Sequence, residues 1–339
     1  MGKSYKVAVI GATGAVGQET LKVLEKHRFP INEIRLVASP KSAGHEISFN
    51  EDNIPIQVLS SSSFVGIDLA FFCTGSKISH SFVPIALEKG VTVIDKSYVY
   101  RLDPDIPLVI PEINADYLHS DHKSIANPNC VTIILLTAIG ALKNLSDFER
   151  LIINTYQSAS GGGTVLMNEL VEQTKAVLAG KETTNNILPY PYAFNLFSHN
   201  TPINEDGSNE EERKVIQETQ KILNMPLLKM NVTCVRVPVL RCHSISVTIE
   251  FKDQCPSIES IKQTLANAPG VRLMDDPVSN RFPMPSEATG IEEVLVGRIR
   301  KDISHPKAVS LFICGDQLLK GAALNGVQIA EHLVQKGYL

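Results

Sequence analysis

Six cysteines are spread along the 339 residues, and one of them, Cys130, stands in a setting that favours chemistry. In Asn127-Pro128-Asn129-Cys130 the turn and cap residues put the thiol in the first turn of an apolar helix, Val131 to Leu142. Unpaired amides and the positive end of the helix dipole favour the thiolate there, the form that attacks an acyl or aldehyde carbon. Cys73, Cys234, Cys242, Cys255 and Cys314 lie in or beside apolar, strand-like runs and read as small buried hydrophobes. The sequence holds no C-x-x-C pair and no His at zinc-finger spacing, so no metal site is expected.

Two further stretches could serve such a nucleophile. Arg236-Val-Pro-Val-Leu-Arg241-Cys242-His243 sets two guanidiniums and an imidazole at two strand ends joined by a short Pro-containing segment. Arg binds carboxylates bidentately, and His exchanges protons near neutral pH. Gln157-Ser158-Ala159-Ser160-Gly161-Gly162-Gly163 joins a strand to a helix. On spacing alone it is equally a cradle for nicotinamide or phosphate and a plain tight turn.

A cofactor loop precedes all of these. Gly11-Ala12-Thr13-Gly14-Ala15-Val16-Gly17 follows the strand Lys6 to Ile10 and opens a helix from about Val16 to His27. In that context glycines let the backbone approach a pyrophosphate held at a helix N-terminus. The second strand, Ile34 to Ala38, runs into Ser39-Pro40-Lys41-Ser42 with no acid at its tip. Two hydroxyls and an ammonium suit a 2′-phosphate better than a 2′-hydroxyl, so the expected cofactor is NADP.

The elements that must position these residues alternate at first: strands at Asp68–Cys73 and Val91–Asp95 flank a helix at Ile78–Lys89. This pattern predicts a parallel, Rossmann-type sheet with helices on its faces. Beyond residue 128 it changes to a helix, the strand Leu151–Tyr156, the helix Thr164–Ala179, a loop over 180–209 and the helix Glu210–Leu223. Strands follow at Val232–Val237, Ser244–Phe251, Glu293–Ile299 and Val309–Cys314. The fold class is therefore α/β: residues 1–127 as the nucleotide-binding domain, completed by a helical segment 316–339, and 128–315 as an α+β domain with a mixed sheet. A net charge of −4 without a basic stripe excludes a nucleic-acid partner. The longest apolar run is shorter than the roughly 20 residues that span a bilayer, and no secretory signal is evident, so a cytoplasmic location is expected.

The succession G-A-T-G-A-V-G, N-P-N-C, Y-Q-S-A-S-G, R-V-P-V-x-R-x-H and K-G-A-A-L-N resembles the aspartate-β-semialdehyde dehydrogenases over essentially the whole chain. The resemblance implies NADPH-dependent reductive dephosphorylation of L-aspartyl 4-phosphate to the 4-semialdehyde through a Cys130 thioester. That step feeds lysine, threonine, methionine, isoleucine and diaminopimelate biosynthesis. His243 would be the general acid/base and Gln157 would orient the intermediate. Arg236 would hold the substrate α-carboxylate, Arg101 the phosphate, and Lys214 with Glu211 would form an acid–Lys pair beside them. Thr74, Gly75, Ser160, Gly161 and Gln317 would join the cofactor contacts. A homodimer, or a dimer of dimers, is implied. The chain departs from the family pattern at Lys96 and Gln317, where Asn is common, and the acids Glu210 to Glu212 leave the partner of Lys214 open by one position. An N-acetyl-glutamyl-phosphate reductase usually has Gly where Asn129 stands. A catalytically silent NADP-binding homologue would have no need of Cys130, Gln157, Arg236 and His243 together.

Overall fold

Short apolar strands alternating with amphipathic helices build the first of two units. The structure, a computed structural model, describes residues 3–339. The first unit runs to Asn129 and resumes at Ala322–Leu339; the second is Cys130–Gly321. In the first, β1 (Tyr5–Ile10), β2 (Ile31–Ala38), β3 (Glu46–Phe49), β4 (Asp52–Val58), β5 (Leu69–Phe72), β6 (Thr92–Asp95) and β7 (Ser124–Ala126) form one sheet in the order β3-β4-β2-β1-β5-β6-β7. All neighbours pair parallel except β3 with β4, a hairpin outside the elements expected from the sequence. The helices α1 (Ala15–Lys26), α2 (Ser76–Glu88) and α3 (Pro111–Asn114) belong to the same unit. On α1 the buried Gly17, Thr20, Leu21, Val23 and Leu24 recur at helical spacing and give it one core-facing stripe. Strand order reverses at β1, and the Gly-rich loop leaves the carboxyl end of that strand, where such sheets bind ligands.

The second unit opens with α4 (Cys130–Ile139) and its sheet contains β8 (Phe148–Gln157), β9 (Phe197–Ser198), β10 (Lys229–Arg236), β11 (His243–Phe251), β12 (Val271–Leu273), β13 (Val294–Lys301) and β14 (Ala308–Gly315). The order is β12-β13-β14-β11-β8-β10-β9, with parallel and antiparallel neighbours mixed. On β8 the side chains Leu151, Ile153, Thr155 and Gln157 are buried while Asn154 and Tyr156 are exposed, the period of two of a half-covered strand. Helices α5 (Gly163–Leu178), α6 (Glu210–Ile222), α7 (Ile258–Asn267) and α8 (Pro285–Ala288) complete this unit.

The chain returns to the first unit later than residue 316. Residues 316–321 stay with the second unit because Asp316 accepts from Arg241 and the Gly290 amide, while Gln317 bonds Ser160 and the Cys242 amide. A π-helical turn over Leu319–Leu324 follows and runs directly into α9 (Asn325–Lys336), so the helical segment expected at 316–339 begins at Leu319 and opens with a π turn. In the first unit Asn325 Nδ2 donates to the Val109 carbonyl at 3.0 Å and to Asn127 Oδ1 at 2.9 Å, which fixes the start of α9. Among the described residues no helix is long and apolar enough to cross a membrane.

Candidate active site

Register brings three side chains to one end of the second sheet. Parallel pairing of β10 with β8 sets Arg236 opposite Gln157, and antiparallel pairing of β11 with β8 sets Ser244 opposite Tyr156. His243 therefore enters beside Gln157, and an amide, a guanidinium and an imidazole stand buried at adjacent strand ends. Gln157 is held twice: its Oε1 accepts the Thr155 hydroxyl and its Nε2 donates to Glu211, both at 3.1 Å.

The turn into β11 is strained. Cys242 has a φ of 75°, in the left-handed region that costs a residue with a side chain about 1–3 kcal/mol. Its amide is anchored on Gln317 Oε1 at 2.9 Å. The His243 ring that follows accepts the backbone N–H of Ser158 at Nδ1, at 3.0 Å. Nδ1 is thus an acceptor, and the proton of the neutral ring sits on Nε2. That atom is buried and has no hydrogen-bond partner among the described residues. Leaving a buried donor unmet costs about 1–3 kcal/mol, which a ligand oxygen would recover. Burial first, then the charge of Arg236, pushes the ring down to about 3, so it stays neutral near pH 7.

Arg236 donates from Nη1 to the Ser158 carbonyl at 2.9 Å and from Nε to Asn200 Oδ1 at 3.4 Å. Nη2 and the second hydrogen of Nη1, which no described residue takes, remain for a carboxylate. Arg241 does not join this group: its Nε bonds the fully buried Asp316 at 2.7 Å, so the second guanidinium is occupied with holding the 316–321 segment. Lys214 stands 3.9 Å from Glu210 on α6, while Glu211 receives Gln157 and Glu212 closes the capping box with Asn209. His199 belongs to the same cluster. Burial lowers it to about 4, with Glu211 opposing and Arg236 and Lys214 adding to the shift. Sequence reasoning missed Ser158, His199 and Asn200. Ser158 lay inside a motif already singled out, whereas His199 and Asn200 sit in a loop without periodicity.

Cys130 is the first residue of α4, half-buried, and the rest of that helix is buried. A Cβ on Gly321 would lie 3.1 Å from the Cys130 Cβ, so the π-helical turn packs its backbone directly on the cysteine. The Cys234 thiol is pushed up by burial, with Glu211, Glu212 and Cys130 adding to it, and is inert as a nucleophile.

The first unit carries a cavity of about 450 Å³ lined by Gly11, Thr13, Gly14, Ser39, Pro40 and Thr74, among others. Gly11 (φ 85°) could carry no side chain, since a Cβ would come within 2.5 Å of the Cys73 carbonyl. At Gly17 a Cβ would come within 2.2 Å of the Gly11 carbonyl. Gly14, the N-cap of α1, offers no side chain to the helix's first amides, which Ala15 and Val16 begin. Those amides suit a pyrophosphate. Gly75 caps α2 in the same way. Lys41 and Ser42 lie in the short turn after β2, with Ser42 Oγ 3.5 Å from Thr13 Oγ1. The residues present therefore fit a dinucleotide with a 2′-phosphate. Ser160, Gly161 and Gln317 lie in the second unit, where Gln317 Nε2 donates to Ser160 Oγ.

Arg101 is buried in the first unit, with Nη2 on the Lys96 carbonyl at 2.7 Å. Lys96 turns inward: its Nζ donates to Thr20 Oγ1 at 2.7 Å beneath α1, and burial lowers its pKa.

Residues 6–120 match the family model described as semialdehyde dehydrogenase, NAD binding domain, and residues 139–320 match semialdehyde dehydrogenase, dimerisation domain. An aspartate-semialdehyde dehydrogenase of Synechocystis is 47% identical over 339 residues, covering 100% of both chains. The chain belongs to the aspartate-semialdehyde dehydrogenase family. Another member, from Bacillus subtilis, is 42% identical over 340 residues and 98% of each chain. Among solved structures, aspartate semialdehyde dehydrogenase II of Vibrio cholerae complexed with ASA superposes with a TM-score of 0.94. It has 38% identity and covers 98% of this chain and 99% of that one. The α/β fold with two sheets is the fold of the family.

Proposed function

We propose that this chain reduces L-aspartyl 4-phosphate to L-aspartate 4-semialdehyde with NADPH, releasing phosphate. The observation that carries the reading is the convergence of Gln157, Arg236 and His243 at adjacent strand ends, in the unit whose first residue is Cys130. The Cys130 thiolate attacks the acyl carbon; the S–C bond forms, the bond to the phosphate oxygen breaks, and a thioester results. The Gly11–Val16 loop would hold NADPH, with Ser39, Lys41 and Ser42 for its 2′-phosphate, and the bound cofactor would supply the hydride. Arg236 binds the α-carboxylate through Nη1 and Nη2, since Asn200 occupies Nε. His243 meets the carbonyl oxygen through the proton on Nε2 and exchanges it as the C–S bond breaks. Gln157, pinned between Thr155 and Glu211, orients the intermediate. Arg101 and Lys214 supply positive charge for the phosphate, and Glu211 sets the orientation of Gln157.

We further assign the protein to the cytoplasm and to a homodimer, or a dimer of such dimers. The match to a dimerisation domain supports self-association, as does the sheet face bearing the exposed Tyr156 and the half-buried Phe312, whose rings lie 6.4 Å apart. The deciding assay is phosphate-dependent NADP reduction with aspartate semialdehyde, run beside N-acetylglutamate semialdehyde. Turnover confined to the first substrate and dependent on phosphate supports the reading. Preference for the second, or indifference to phosphate, overturns it.

A further inference from the structure

Gly161, Gly162 and Gly163 are adjacent, but a side chain would meet a different obstacle at each. Gly163 has a φ of 82° and open space around its Cβ position among the described residues, so its requirement is backbone conformation. The three atoms nearest a Cβ on Gly162 all belong to the Leu166 side chain, Cδ2 at 2.5 Å, and none to Arg236 or His243. Gly161 is not in the left-handed region, and what excludes a side chain there is space. Its Cβ would stand 2.7 Å from Arg236 Nη1, 3.1 Å from His243 Cε1 and 3.2 Å from His243 Nε2.

Neither neighbour can give way without loss. Arg236 is pinned by the Ser158 carbonyl at 2.9 Å and by Asn200 at 3.4 Å. His243 is fully buried and tied to the Ser158 amide at 3.0 Å. The Ser158 carbonyl also accepts the Gly161 amide, at 3.3 Å, so the two backbone groups of one residue hold all three in a common frame.

We infer that Gly161 is a positioning residue for the reaction proposed above: by lacking a side chain it lets the Arg236 guanidinium and the His243 imidazole close on one point. It thereby fixes the spacing between the atoms that take the substrate carboxylate and the atom that meets its reacting oxygen. This inference rests on that reading of the reaction, and it gives Gly161 a substrate-side role. A displacement of about 1 Å at such a site costs on the order of a hundredfold in rate.

The test is a double-mutant cycle of Gly161→Ala with Arg236→Ala, read by steady-state kinetics with aspartate semialdehyde and by NADPH titration. Gly161→Ala should raise the KM for the semialdehyde and lower kcat, together by about a hundredfold in kcat/KM, while NADPH affinity stays within about twofold. With Arg236 already removed, the same substitution should cost no more than about threefold, because the nearest clashing atom is gone. Gly162→Ala serves as the control and should stay within about threefold of the parent. Weakened NADPH binding with an unchanged semialdehyde KM makes Gly161 a cofactor contact and overturns the inference, as does strict additivity of the two substitutions. If the parent is inert toward aspartate semialdehyde, the assigned reaction fails instead. The inference is then decided by the His243 ring ¹⁵N signals, which should move in Gly161→Ala and not in Gly162→Ala.

Discussion

The backbone amide of Ser158 donates to His243 Nδ1 at 3.0 Å, which leaves the ring proton on Nε2, the atom that no described residue meets. Burial and Arg236 lower this His to about 3, and burial lowers His199 to about 4. An unfolded His takes up its proton near pH 6.5. Between about 6.5 and these folded values the unfolded chain binds more protons than the native one, so stability rises with pH there and is lost as pH falls. The melting temperature should therefore drop between pH 7 and pH 5, and drop less in His199→Gln. Ring ¹⁵N signals should keep His243 as the neutral Nε2–H form at pH 5; an imidazolium signal there would sink the assignment.

Cys130 supplies the second prediction. Its thiol begins α4, where the helix dipole favours the thiolate, and a serine hydroxyl gains far too little from that field to ionise. Cys130→Ser should lower turnover by more than about a thousandfold while NADPH binding is unchanged. A single fast-alkylating cysteine in the parent, absent from this variant, should account for the nucleophile. Wild-type turnover in the variant would remove the covalent route altogether.

Lys41 tests the cofactor preference. It stands in the turn Pro40–Ser42 that follows β2, where an NAD-binding sheet would place an acid. Lys41→Glu puts a carboxylate against the 2′-phosphate and should raise the KM for NADPH several-fold with little change for NADH. Equal effects on both cofactors would mean that the residue does not read the 2′-phosphate.

Much of this was legible before the structure, and the boundary follows from the kind of signal. Cys130, the Gly11–Gly17 loop and the Gln157–Gly163 turn each announce themselves locally, by a cap or a strand-to-helix junction. The antiparallel β3–β4 hairpin did not: Ile47 and Phe49 on one strand and Ile54, Ile56 and Val58 on the other do alternate, but the strands are short and mostly exposed, so the alternation builds no buried stripe. Asn200 and His199 were silent for a different reason: each acquires its role from a partner far along the chain. Arg241 misled because closeness in sequence to His243 is not closeness of side chains; one residue on, the φ of Cys242 turns the chain.

Asn200 makes the fourth prediction. By taking Nε of Arg236 it leaves the guanidinium an end-on pair of nitrogens for the carboxylate. Asn200→Ala should free that rotation and raise the KM for aspartate semialdehyde by about tenfold or more, a hydrogen bond to a charged group being worth about 1.5 kcal/mol or more. kcat should change less. A fall in kcat at constant KM would place Asn200 in the chemical step.

Lys96 replaces the Asn common in the family, yet its amine is committed to the interior. Nζ donates to Thr20 Oγ1 at 2.7 Å and lies 5.7 Å from the centre of the Phe71 ring. Burial lowers its pKa, which means that the charged form is the one disfavoured by folding. Thr20 already gives its hydroxyl hydrogen to the Val16 carbonyl at 2.7 Å, so removal of the amine orphans no donor. A buried charge replaced by a well-packed apolar chain of similar length is often neutral or stabilising. Lys96→Met should therefore melt at the same temperature or higher, and bind NADPH within about twofold of the parent. A clear loss of stability would show that the ammonium, rather than the methylene stem, holds α1 against the sheet.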